Sequence, residues 1–149
     1  MFLRVIYYKI GFISGYVLAD RGYDVWMGNS RGNLYSRNHT SLNVNSKEFW
    51  NFSFQELGVI DVPAIIDYIL ATTKDESLFY VGHSQGCTIF YVLCSELPKY
   101  NSKIKAHFSL APAVFDKHVR SPLFLIFFVA NYHLTVSYFY LLDATFLYI

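Results

Sequence analysis

The pentapeptide Gly82-His83-Ser84-Gln85-Gly86 constrains this chain more than any other feature, because few backbones can carry it. Immediately before it runs Leu78-Phe79-Tyr80-Val81, a continuous apolar stretch suited to a buried strand of a parallel sheet. Immediately after it, Cys87 to Leu97 is apolar and helical in pattern, and Pro98 ends it. Strand, G-x-S-x-G, helix is the pattern of a nucleophile elbow. The serine sits on a very tight turn, in a strained conformation, with its hydroxyl lifted above the carboxyl edge of the sheet. Side chains two residues to either side would collide with that turn, so Gly82 and Gly86 are the elbow glycines. With Gly and Ser each at about 7% of residues, the bare pattern arises by chance about 0.05 times in such a chain.

The rest of the chain supplies the sheet that an elbow needs. Tyr16 to Arg21 reads as the last turns of a helix, with Gly22 as its left-handed stop. A short strand is predicted over 23–27, followed by a turn-rich loop, Gly28-Asn29-Ser30-Arg31-Gly32-Asn33. Ser53-Phe54-Gln55-Glu56 matches a capping box and opens a helix over 54–72. Asp61 is placed to cap a restart of that helix, with Pro63 in its first turn. Ile65, Ile66, Ile69 and Leu70 form its apolar stripe. Further predictions are a strand over 78–82, a helix over 85–97 and a strand over 105–111. This alternation predicts an α/β fold whose three strands run parallel, joined by crossover helices. With 54% apolar and 15% charged residues the chain can bury a core, and 149 residues suit one domain. A net charge of +1 leaves no electrostatic footprint for nucleic acid.

Ser84 is the expected catalytic nucleophile, and the backbone N–H of Gln85 is one expected oxyanion donor, helped by the helix dipole. Such chemistry needs no cofactor and no metal, but it does need a histidine base and an acid that orients it. In this fold the chain order is serine, acid, histidine. Downstream stand Asp116 and Asp143 as acids, and His107, His118 and His133 as bases. Asp116 and His118 lie only two residues apart, too close to occupy separate loops flanking Ser84. His83 and His107 read as packed, hydrogen-bonded histidines.

These segments together resemble the acid lipases, the gastric and lysosomal family with its insect relatives. The matching stretches are Leu18-Ala19-Asp20-Arg21-Gly22-Tyr23-Asp24-Val25-Trp26-Met27 with the Gly28–Asn33 loop, then Glu48-Phe49-Trp50-Asn51-Phe52-Ser53-Phe54. Asp61 to Tyr68, Tyr80 to Gly86, and Leu110-Ala111-Pro112 complete them. The resemblance covers residues 14–122, roughly three quarters of the chain. It implies an α/β-hydrolase fold with a helical cap, and a lipase-type serine carboxylic-ester hydrolase acting on triglyceride or sterol esters. It also implies a lipid ester as partner and a secreted or lysosomal location.

The departures set further expectations. The family's early strand and its His-Gly loop are not recognised before residue 14, and 1–13 reads as a divergent N-terminus. The cap and the later strands bearing the catalytic Asp and His are not recognised after residue 122. On this reading the fold is partial, and the chain alone is expected to be inactive. Residues 123–149 form an apolar, aromatic tail unlike the family, and contact with a membrane or lipid surface through it is an alternative reading. Two other functions compete: an inactive lipase remnant that binds lipid, and another serine hydrolase on the same fold. Lys9 interrupts the apolar start, so no signal peptide is read there. Asn38-His39-Thr40 and Asn51-Phe52-Ser53 are N-glycosylation sequons. Cys87 and Cys94 read as two buried free thiols.

Overall fold

The computed structural model describes residues 10–114, 120, 122 and 146–148, with backbone alone for 10–14 and 146–148. Helix α1 (Ile10–Asp20) ends at Gly22, whose φ is 90°. The Gly22 and Tyr23 N–H groups return to the carbonyls of Ala19 and Leu18, satisfying the helix's last acceptors. That closure takes up the first residues of the predicted strand. Strand β1 is therefore Trp26–Gly28, shorter and later than 23–27.

The predicted helix over 54–72 is continuous but changes pitch. It comprises α2 (Phe54–Glu56), a π-helical turn (Leu57–Asp61) and α3 (Val62–Thr73). The capping box forms as the sequence predicts: Ser53 Oγ accepts from the Gln55 N–H, and the Ser53 N–H donates to Glu56 Oε2. A proline in a helix lacks one N–H and crowds the carbonyl four residues earlier. The wide turn just before Pro63 absorbs that misfit, with the Val62 N–H reaching back to the Leu57 carbonyl. Asp61 departs from expectation. It is already helical, with φ −71° and ψ −51°, so no orphan N–H awaits its side chain, and it makes no cap hydrogen bond.

After β2 (Leu78–His83) come α4 (Gln85–Glu96), a 3₁₀ turn (Pro98–Lys103) and β3 (Ile104–Leu110). Strands β2 and β3 pair in parallel from Leu78↔Ile104 to His83↔Leu110. A fourth strand, β4 (Phe146–Tyr148), has no counterpart in the sequence reading and adds an antiparallel member to the sheet. It lies between β1 and β2 and runs antiparallel to both, giving the order β1-β4-β2-β3. The three predicted strands still share one direction in one sheet, but β1 and β2 are not neighbours.

The core lies where α3 and α4 pack on β2. Leu57, Val62, Ile66, Tyr80, Ile89 and Leu93 are fully buried there. Truncating Ile89 or Leu93 to alanine would cost about 2–5 kcal/mol. Gly58 lets the π-helical turn press on α4, since a Cβ there would lie 2.6 Å from Val92 Cγ1. Ile66 and Ile69 of the predicted stripe are buried, with Ile65 and Leu70 packed beside them. No helix among the described residues is long and apolar enough to cross a membrane. Residues 123–145 lie outside the described residues.

Candidate active site

Ser84 occupies the single residue between β2 and α4, with φ 52° and ψ −115°. A non-glycine residue in that region is strained by about 1–3 kcal/mol, so the surroundings must hold it there. They do so on both sides. Its N–H continues the parallel ladder by donating to the Leu110 carbonyl at 2.9 Å, and its carbonyl accepts from the Cys87 N–H at 3.0 Å. The chain thus changes from strand to helix within one residue, and the partly exposed Ser84 stands at the carboxyl edge of the sheet.

The need for glycine at 82 is visible in distances. A Cβ on Gly82 would lie 2.8 Å from Cys87 N, 2.8 Å from the Gly86 carbonyl carbon and 2.9 Å from the Gly86 oxygen. All three are backbone atoms of the first turn of α4. Gly86 is buried, and its carbonyl accepts from the Tyr80 hydroxyl at 3.0 Å. Cys87 is also fully buried, and its thiol points to the Gly82 carbonyl at 3.1 Å. Gln85 opens α4, where a first-turn N–H has no intrahelical acceptor. Its side-chain Oε1 is buried with no hydrogen-bond partner.

The loop after β1 reaches the same edge. Gly28 of β1 and Gly82 of β2 both stand opposite Phe146 of β4, so the chain leaves the two strands at one level. The Arg31 guanidinium holds the Asp61 carboxylate through Nε at 2.9 and 3.0 Å and through Nη2, and the Arg31 backbone N–H donates to Asp61 Oδ2 at 3.2 Å. Gly32, at φ 81°, lies under two rings: a Cβ there would sit 2.8 Å from Trp50 Cζ3 and 3.0 Å from Phe52 Cζ. Asn33 Nδ2 donates to Asn29 Oδ1 at 2.9 Å, closing the loop on itself. Ser30 is only 4% exposed, and its hydroxyl has no hydrogen-bond partner. Sequence reasoning passed over Arg31, Asp61 and Ser30 as site neighbours, since nothing local pairs residues thirty positions apart.

Among the described residues no side chain hydrogen-bonds the Ser84 hydroxyl. His107 lies on β3 inside an aromatic cluster, its ring 3.8 Å from that of Phe90 and edge-on to Tyr80 and Tyr91. Burial holds its pKa below the ordinary imidazole value. His83 is half-buried at the end of β2. Asp116, His118, His133 and Asp143 lie outside the described residues. Other carboxylates serve the framework. Asp67 accepts from the Tyr100 hydroxyl at 2.8 Å and from Lys103 Nζ at 2.6 Å. No cluster of three or more metal-ligating side chains occurs among the described residues.

Comparison with known proteins follows the same outline. A family model described as alpha/beta hydrolase fold matches residues 5–147. "Lipase 1" of Drosophila melanogaster is 55% identical over 102 residues, covering 68% of this chain and 23% of that protein. "Lipase member J" of Homo sapiens is 53% identical over 109 residues, covering 73% of this chain and 30% of that protein. "Lysosomal acid lipase/cholesteryl ester hydrolase" of Rattus norvegicus is 50% identical over 109 residues, covering 73% and 28%. The matched stretch spans between 23% and 30% of the length of these three relatives.

Proposed function

Since the chain belongs to the alpha/beta hydrolase fold family, we propose that it is the nucleophile-bearing part of a lipase-type serine hydrolase that cleaves lipid carboxylic esters. The observation that carries this reading is the backbone of Ser84, held at positive φ where β2 meets α4. In the proposed reaction the Ser84 oxygen attacks the ester carbonyl and passes its proton to a base. The carbonyl oxygen gains negative charge and takes a hydrogen bond from the Gln85 N–H. Collapse expels the alcohol and leaves an acyl group on Ser84, which water then removes as the free acid. Gly82 and Gly86 give the turn its room. Residues 14–122 form the hydrolase core on this reading, with β4 filling the slot between β1 and β2, and 123–145 is the stretch that would touch a lipid surface.

Half-identity to proteins named as lipases, one of them a cholesteryl ester hydrolase, supports triglyceride or sterol ester as the substrate class. A secreted or lysosomal location follows from the same likeness. It is supported by the exposure of both sequon asparagines, Asn38 and Asn51.

The test is covalent labelling of residues 1–149 with a fluorophosphonate, read by mass spectrometry, beside hydrolysis of a short-chain p-nitrophenyl ester. The expected result is negligible ester turnover by this chain alone, together with a slow, stoichiometric adduct on Ser84 that disappears in Ser84→Ala. An adduct elsewhere, or an equal signal in the alanine variant, would overturn the assignment.

A further inference from the structure

The two sequons, Asn38-His39-Thr40 and Asn51-Phe52-Ser53, lie on the connection between β1 and α2, and both asparagines are exposed. An acceptor sequon needs its hydroxyl residue as well as its asparagine amide, and the two sequons differ in how free those groups are. In the second, every residue is engaged. The Asn51 N–H donates to the Glu48 carbonyl at 3.3 Å, and the Phe52 N–H to the Trp50 carbonyl at 2.9 Å. The Phe52 ring stacks on that of Trp50. The Ser53 hydroxyl donates to Glu56 Oε2 at 2.7 Å and accepts from the Gln55 N–H at 3.1 Å, as the N-cap of α2. A capping box closes within four residues, so it forms on the timescale of a single helical turn, ahead of tertiary packing.

In the first sequon only the middle residue is held. His39 Nδ1 accepts from the Ser41 and Leu42 N–H groups at 3.1 and 2.9 Å, and its ring meets that of buried Phe49 edge-on at 6.2 Å. The Asn38 amide and the Thr40 hydroxyl make no hydrogen bond among the described residues, and residues 38–43 are all exposed. A bulky glycan leaving from Asn38 therefore enters solvent and displaces no contact. We infer that Asn38 is an N-glycosylation site of this chain and that Asn51, though exposed, stays bare. The step joins the Asn38 side-chain nitrogen to the anomeric carbon of an oligosaccharide carried on a lipid pyrophosphate. The carbon–oxygen bond to the pyrophosphate breaks, the lipid pyrophosphate leaves with that electron pair, and the amide gives up one proton to the transferase. Delivery rests on the secreted or lysosomal location proposed above, since that route supplies the oligosaccharide donor and its transferase.

The experiment expresses the full chain in eukaryotic cells, once as written and once behind a cleavable secretory leader, with Asn38→Gln and Asn51→Gln in each. The glycan is read as a mobility shift removed by peptide N-glycosidase. Its position is read by mass spectrometry of the aspartate that this enzyme leaves. Behind the leader one glycan is expected, lost in Asn38→Gln and kept in Asn51→Gln. A wild-type chain that has lost its leader yet carries no glycan, or a glycan that survives Asn38→Gln, would overturn the assignment. Two glycans on the wild type would overturn the sparing of Asn51. Urea unfolding of both glutamine variants is expected to match the wild type, so that a lost shift reports the site and not misfolding. Protease protection in microsomes tests the location separately. A chain as written that stays outside, while Asn38 is occupied behind the leader, sinks the location reading and leaves the site standing.

Discussion

Gly82→Ala is the sharpest single perturbation of the elbow. The added methyl would meet Cys87 N and the Gly86 carbonyl carbon at 2.8 Å, where ordinary contacts begin at 3.4 Å. Relief needs the two segments to separate by roughly 0.6 Å. No rotamer can supply that, because every opposing atom is main chain. The first turn of α4 must move away from β2, and with it the Ser84 carbonyl–Cys87 bond and the Ser84 N–H bond to Leu110. Overpacking of this kind costs about 1–3 kcal/mol. Displacement near 1 Å at a reacting group removes up to about a hundredfold in rate, so a tenfold to hundredfold loss of Ser84 labelling is expected.

The assay is urea unfolding together with fluorophosphonate labelling, with Gly22→Ala as control. Gly22 has φ 90° but open space around it. Alanine there should cost about 1 kcal/mol through backbone strain alone and leave labelling unchanged. Wild-type stability and labelling in Gly82→Ala would refute the close-approach reasoning.

Four further outcomes follow from the framework. Burial opposes the ionisation of Asp67, but hydrogen bonds from Lys103 and Tyr100 outweigh it and hold its carboxyl below its ordinary value. Its contribution is therefore present above the unfolded carboxylate pKa and lost as pH falls through the lowered folded one, so Asp67→Asn should flatten the acid limb of a Tm–pH curve. Tyr100 is pushed up to about 12 by burial and by Asp67. It stabilises below pH 10 and loses that contribution as pH rises through about 12, a limb that Tyr100→Phe should remove and that absorbance near 295 nm should track. Cys87 is fully buried and Cys94 half-buried, with its thiol pKa raised by burial, so iodoacetamide should modify Cys94 slowly and spare Cys87 until urea is added. Asp61→Asn weakens the charged hydrogen bonds between Arg31 and residue 61 and should lower stability by about 1.5–3 kcal/mol in urea unfolding.

What could be read from the sequence shares one property: its cause lies within a few residues. The capping box of Ser53 and Glu56, the Gly22 stop and the elbow at 82–86 are each closed by atoms a turn apart. What could not be read depends on partners brought together by the fold. Asp61 looks like a cap in sequence because a proline follows two residues later. In three dimensions the helix has already begun, and the carboxylate turns to an arginine on another loop. Strand β4 was hidden for a different reason. Three residues, Phe146–Tyr148, carry too little alternation to announce a strand inside a long apolar run, and only the open slot between β1 and β2 selects them.

His107 shows how geometry decides between readings that the sequence leaves open. As the first histidine after the elbow it has the residue type for a base. Yet its partner across the sheet is Tyr80, and Leu110, which receives the Ser84 N–H, lies three residues further along β3. At about 3.3 Å per residue the imidazole is rooted roughly 10 Å below the edge where Ser84 emerges, whereas proton transfer needs contact at about 3 Å. Its surroundings argue the same way. A general base gains from an orienting carboxylate that favours the imidazolium. Here Phe90 covers the ring, Tyr80 and Tyr91 flank it, and burial disfavours the charge. The ring's work is to fill the junction of β2, β3 and α4, and on the proposed reading a base for Ser84 would reach the carboxyl edge from another segment.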